Sequence, residues 1–242
     1  MLGLSAAARR WGSLAGGILA GLPLTSAPIL AYIALDQGQD FARLTALGAL
    51  DGLAAVASAY LAYAGVMTTR SVAFSCLVAL AAFLLVSAAL TALGGGIQSV
   101  AVFGAACLVV LRMTRTSGEA PPRPHGGLSL PVRVTVPTFL VVLVTGLAPH
   151  LGPDISGILA PIPVLAWPLT VFAHMQGGAP QAALLIRGNV ISGFGVLLFY
   201  IVLYYGLRTE HGLATFGLAI AVSVVVAAGL ARLLPVRPPK AG

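Results

Sequence analysis

The sequence predicts an all-α membrane protein of about eight transmembrane helices, with two inverted three-helix repeats whose first helices are broken by proline. Three observations carry that expectation. Of 242 residues, 59% are hydrophobic and 8% are charged, against roughly 25% charged in soluble domains. Thirteen basic and six acidic residues cannot coat a water-soluble fold of this size. The apolar residues also gather into runs near the ~20 residues that cross a bilayer as a helix. Finally, "GILAGLPLTSAP" at 17–28 returns as "GILAPIPVLAWP" at 157–168.

The first apolar run, 12–35, follows Arg9 and Arg10. It is too long for a signal-peptide core and no clean small-residue cleavage site follows, so it reads as a span. Further runs lie at 41–66, 71–92 and 95–112, the last introduced by three glycines that read as a tight turn. Residues 114–131 are rich in Pro, Gly and Ser and read as a linker. Four more runs follow, at 133–150, 156–175, 180–207 and 212–234. The chain thus divides into 1–113, a cytoplasmic linker 114–131, and 132–242.

Charge supports eight crossings. With the N-terminus in the cytoplasm, that side receives Arg9, Arg10, Arg70, Arg112, Arg115, Arg123, Arg133, Arg232, Arg237 and Lys240. The far side receives only Arg43 and Arg208. This is the positive-inside asymmetry, and it places both termini in the cytoplasm of an inner membrane. The pI of about 10.1 therefore implies no nucleic-acid partner, since no basic, aromatic-studded patch exists for bases. Cys76 and Cys107 sit in apolar runs and read as small core residues.

Residues 17–65 align without gaps on 157–205, with twelve identities, among them Pro23/Pro163, Pro28/Pro168, Gly38/Gly178, Gly48/Gly188 and Tyr60/Tyr200. Five crossings separate equivalent helices, so the second copy is upside down. Inverted repeats are a recurring plan of secondary transporters. Proline removes an N–H and clashes with the preceding turn, and irregular backbone in a membrane must be buried in protein or line a wet cavity. Leu22–Pro28 and Ile162–Pro168 are therefore candidate walls of a central site, or else plain packing kinks. Gly16, Gly17 and Gly21 allow another backbone to come close.

The candidate substrate-binding residues are Pro23, Thr25, Ser26, Pro28, Asp51, Pro163, Trp167, Pro168, Arg187 and Asn189. Hydroxyls of Thr25 and Ser26 can satisfy carbonyls freed by the break; the second copy has Leu165 and Ala166 there, followed by Trp167. Asp51 lies about 15 Å into the second span and Arg187 about 11 Å into the seventh. Ionisable groups at such depth are costly and face a cavity or each other. Asp51 reads as a proton- or cation-coupling carboxylate, a substrate ligand, or the partner of Arg187. Arg187 suits an anionic cargo through paired donors, or snorkels to the cytoplasmic surface. Asn189 offers both donor and acceptors. His150, His174 and His211 fall near helix ends and read as solvated, and Phe199, Tyr200, Tyr204 and Tyr205 read as an interfacial belt.

The stretch "PVLAWPLTVFAHMQGGAPQAALLIRGN", through Pro163, Ala173, His174, Gly178 and Arg187, resembles the GlpM-like family of small bacterial inner-membrane proteins. The resemblance covers about fifty residues of the second copy. The first copy departs from it, with Ala34 and Leu47 in place of the histidine and arginine. It implies a fused, duplicated relative and supplies no substrate or site residue.

No nucleophile elbow, zinc-protease helix, phosphate loop or cysteine–histidine metal spacing is present. The expectation is a secondary transporter, not an enzyme, without cofactor or metal. Its partners are the bilayer and a small solute, favoured to be an organic anion, and a homodimer is compatible with the sequence. The rival readings are an uncoupled channel and an accessory subunit of envelope polysaccharide or lipid assembly.

Overall fold

A computed structural model describes residues 14–24, 26–114, 158, 166–208 and 212–234. Among these, all regular structure is helical. A helical segment covers 14–20, followed by α1 (Ser26–Asp36), α2 (Gln39–Val66), α3 (Val72–Leu93), α4 (Ile97–Met113), α5 (Ala166–Gly206) and α6 (Gly212–Leu233). Four helices, α2, α3, α5 and α6, are long and apolar enough to cross a membrane, and α1 and α4 are shorter apolar helices. This fits a membrane-embedded helical protein. The expected fifth span, 133–150, lies outside the described residues, as does the linker beyond Thr114.

The helix ends follow from local chemistry. Ser71 caps α3, its hydroxyl accepting from the Phe74 N–H at 3.3 Å, which satisfies a donor the first turn leaves unmet. Gly94, Gly95 and Gly96 then take φ of 81°, 58° and 76°, a left-handed run that other residues rarely adopt. That run is the tight turn expected between the third and fourth segments.

Alanines buried along α2, among them Ala42, Ala46, Ala49 and Ala54, let other helices approach closely. α2 is the hub, packed by α3, α4 and α5, while α5 also holds α4 and α6. The outer helices turn large apolar side chains outward: Leu77, Leu84 and Leu85 on α3, and Leu218 and Val225 on α6. Such flanks are costly in water and unremarked by lipid.

The sixth and seventh expected spans form one helical run, α5, interrupted only at Gly178, with φ 75° and ψ −173°. The runs were expected to stop at 175 and resume at 180; within that gap Gly178 alone makes the joint. Contacts fix what the joint does. Arg43, at the start of α2, lies over the Tyr204 ring near the end of α5, at 5.3 Å. Trp167, at the start of α5, meets Tyr60 and Tyr63 of α2 at 5.4 and 5.5 Å between ring centres. A straight helix would separate Trp167 and Tyr204 by about 55 Å, but their partners on α2 are only about 25 Å apart. The chain therefore doubles back at Gly178. Its second part runs antiparallel to α2.

One regularity runs through the helix boundaries. Gln39, Val66 and Leu93 begin or end helices between described residues. Adding 140 to Gln39, Val66 and Leu93 gives Ala179, the first residue after the joint of α5, Gly206, its end, and Leu233, the end of α6. Gly38 (φ 93°, ψ 162°) and Gly178 (φ 75°, ψ −173°) correspond in the same register and share a backbone conformation open essentially to glycine alone.

Candidate functional site

The helix of 14–20 stops at Gly21, and 21–24 are turn and bend before α1 begins. The Gly21 N–H still reaches the Gly17 carbonyl at 2.9 Å, the Leu24 N–H turns back to Leu22 at 2.7 Å, and the Ala27 N–H donates to Pro23 at 3.0 Å. Pro23 is buried within the break. Pro28 was expected to share in breaking the helix. It instead occupies the first turn of α1 and is exposed, so it walls no interior site. A proline N–H missing from the first turn costs no helical bond. Pro168 lies within α5, two residues after its first described residue, and is buried. Thr25 and Pro163, with the second expected break, lie outside the described residues.

The broken helix crosses α5 at backbone contact. A Cβ on Gly17 would collide with the Leu185 carbonyl, and one on Gly188 with the Leu14 carbonyl and Ile18 nitrogen. One on Gly21 would strike the Ser192 hydroxyl and come within 3.1 Å of the Asn189 Cα. Ala20 joins Ala166, Leu169 and Leu185 in a small apolar cluster, so the first broken helix also meets the start of α5. The glycines do what the sequence suggested for Gly17 and Gly21.

Asp51 and Arg187 do not pair. The Ser99 hydroxyl donates to Asp51 Oδ1, and the carboxylate lies against Gly95. Asp51 thus sits half-buried at the α3–α4 turn, beside the positive end of α4. Arg187 is buried and donates to the carbonyls of Leu111, at 2.8 Å, and Leu234, at 3.2 Å. These belong to the closing turn of α4 and the residue after α6. Ser99 and Leu111 are twelve residues apart on one helix, about 18 Å. The two charges therefore occupy opposite ends of α4, and Arg187 is turned inward, not snorkelling.

Several polar groups unused by sequence reasoning are buried here. His174 is not solvated: it is 8% exposed, its Nδ1 hydrogen-bonded to the Tyr63 hydroxyl at 2.7 Å. Phe199 and Tyr200 are fully buried rather than interfacial, while Tyr205 is exposed. The Tyr60 hydroxyl and both polar atoms of the Asn189 amide find no hydrogen-bond partner among the described residues. The Tyr60/Tyr200 identity was a usable signal for the phenols; nothing in spacing pointed to Tyr63. No group of three or more potential metal ligands occurs among the described residues.

No family model, curated protein or solved structure matches the chain.

Proposed function

We propose that the chain is a secondary transporter of the bacterial inner membrane, moving a small solute by alternating access between two inverted three-helix repeats. The observation that carries this reading is the 140-residue recurrence of helix boundaries, together with the antiparallel run of the equivalent helices α2 and the second part of α5. Equivalent helices that run antiparallel are what inversion requires. The break at 21–24 and the contact of Ala20 with Ala166 and Leu169 support a meeting of the first-helix segments of the two halves. In this reading eight crossings put both termini in the cytoplasm, and Asp51 is the coupling carboxylate. An organic anion would have to draw Arg187 away from the Leu111 and Leu234 carbonyls.

Counterflow in proteoliposomes tests the proposal. Vesicles loaded with an unlabelled solute should take up the same labelled solute transiently above equilibrium, for at least one member of a panel of small organic anions and uncharged solutes. A channel gives only equilibration. Equilibration across the whole panel would refute the carrier.

A further inference from the structure

We propose that Asn189 and Tyr60 form an uncharged hydrogen-bonding subsite for a neutral polyhydroxylated solute, beside the ring of Trp167. This rests on the carrier reading above and narrows its cargo class. Asn189 is 6% exposed and Tyr60 is 3% exposed. The Asn189 Nδ2 and Oδ1 and the Tyr60 hydroxyl all lack hydrogen-bond partners among the described residues. Buried polar groups are nearly always paired, and each exception calls for a cause.

The two side chains lie at one depth. Counting inward from the contact of Arg43 with Tyr204, Tyr60 is 17 residues along α2 and Asn189 is 15 residues back along α5. The helices are antiparallel there, so the difference is less than one turn. Both also border the crossing of the first-helix segments. The backbone of Asn189 adjoins Gly21 at the break. Tyr60 packs on Trp167, whose neighbour Ala166 clusters with Ala20.

The chemistry of the pair selects the ligand. An amide and a phenol each donate and accept, as each hydroxyl of a polyol does. The indole of Trp167 supplies an apolar face for C–H groups. Arg187 lies at this depth but is engaged by carbonyls, so a charged ligand would have to draw it away as well as meet the cost of burial. Asp51 is engaged by Ser99 at the α3–α4 turn. Arg187, two residues before Asn189, is turned to the ends of α4 and α6, as residues two apart on a helix do not share a face.

The test uses the full chain with Trp11→Phe, which leaves Trp167 as the sole tryptophan, and erythritol as probe. Erythritol should change Trp167 emission saturably. Asn189→Leu and Tyr60→Phe should each weaken that response at least tenfold, with thermal midpoints equal to or above the parent, since each removes an unmet buried group. No saturable response in the parent overturns the inference, as do an unchanged response in both variants or lowered midpoints in both. Lactate, an anion of similar size, separates this claim from the one it rests on. A saturable response to lactate alone sinks the neutral subsite and leaves the carrier. A saturable erythritol response without counterflow sinks the carrier and leaves the subsite.

Discussion

Arg187→Met removes a buried charge whose observed acceptors close two helices, α4 and α6. Methionine keeps most of the apolar stem, so the loss falls on the guanidinium. A hydrogen bond from a charged group contributes roughly 1.5–3 kcal/mol. The Leu234 contact is longer, at 3.2 Å, and lies one residue beyond α6; counted at half weight, the pair totals about 2–4 kcal/mol. At ~2–4 °C per kcal/mol for a chain of this size, the unfolding midpoint should fall by roughly 4–16 °C. Arg187→Lys should fall between parent and methionine, because one ammonium lacks the planar fork that spans two carbonyls. Thermal unfolding of the detergent-purified chain, followed by tryptophan emission, reads the shift. A midpoint within about 1 °C of the parent would falsify the clamp. If transport were lost at that unchanged midpoint, Arg187 would belong to cargo recognition after all.

Gly188→Ala should cost about 2–4 kcal/mol or prevent folding, since its Cβ meets backbone of 14–18 that cannot swing aside. Gly104→Ala in α4, where the added methyl meets open space, is the matched control and should be neutral or raise stability by up to about 1 kcal/mol in the same denaturation series. Gly178→Ala should destabilise by about 1–3 kcal/mol, because its φ of 75° with extended ψ suits glycine; equal midpoints would mean the joint is not held there. Asp51→Asn should retain the Ser99 contact and the parent's thermal midpoint yet abolish uptake driven by a pH gradient. Normal driven uptake would remove Asp51 as the coupling group, and a collapsed fold would make its role structural.

Membrane-length apolar runs and the two glycine joints were legible because they rest on residues whose chemistry is local. Gly38 and Gly178 announce a backbone that side chains resist, and apolar run lengths announce α2, α3, α5 and α6. What escaped was the direction in which side chains face. Depth along a span put Asp51 and Arg187 near one level, but rise per residue says nothing of which neighbour a side chain meets. One reaches the N-terminal end of α4 and the other its C-terminal end. His174 looked terminal because it precedes the Gly-Gly pair. It is buried because the chain turns back at Gly178 and lays that end against α2. Pro28 looked like a breaker, whereas a first-turn position tolerates it. Buried phenols and amides without partners are set by packing among distant segments, which no window of sequence contains.

The 28 residues of α2 make a rod about 42 Å long, set against a hydrocarbon slab of about 30 Å. Such a rod leans or protrudes, and its angle follows the thickness of the surrounding lipid. α1 hangs from one end of it through two residues, Gln37 and Gly38, and 166–177 hang from the second part of α5 through Gly178. With joints this short, a lean in either rod levers the segment attached to it. Acyl-chain length is then a mechanical input to the crossing at Gly17 and Gly188, and short-chain and long-chain bilayers should hold it at different angles.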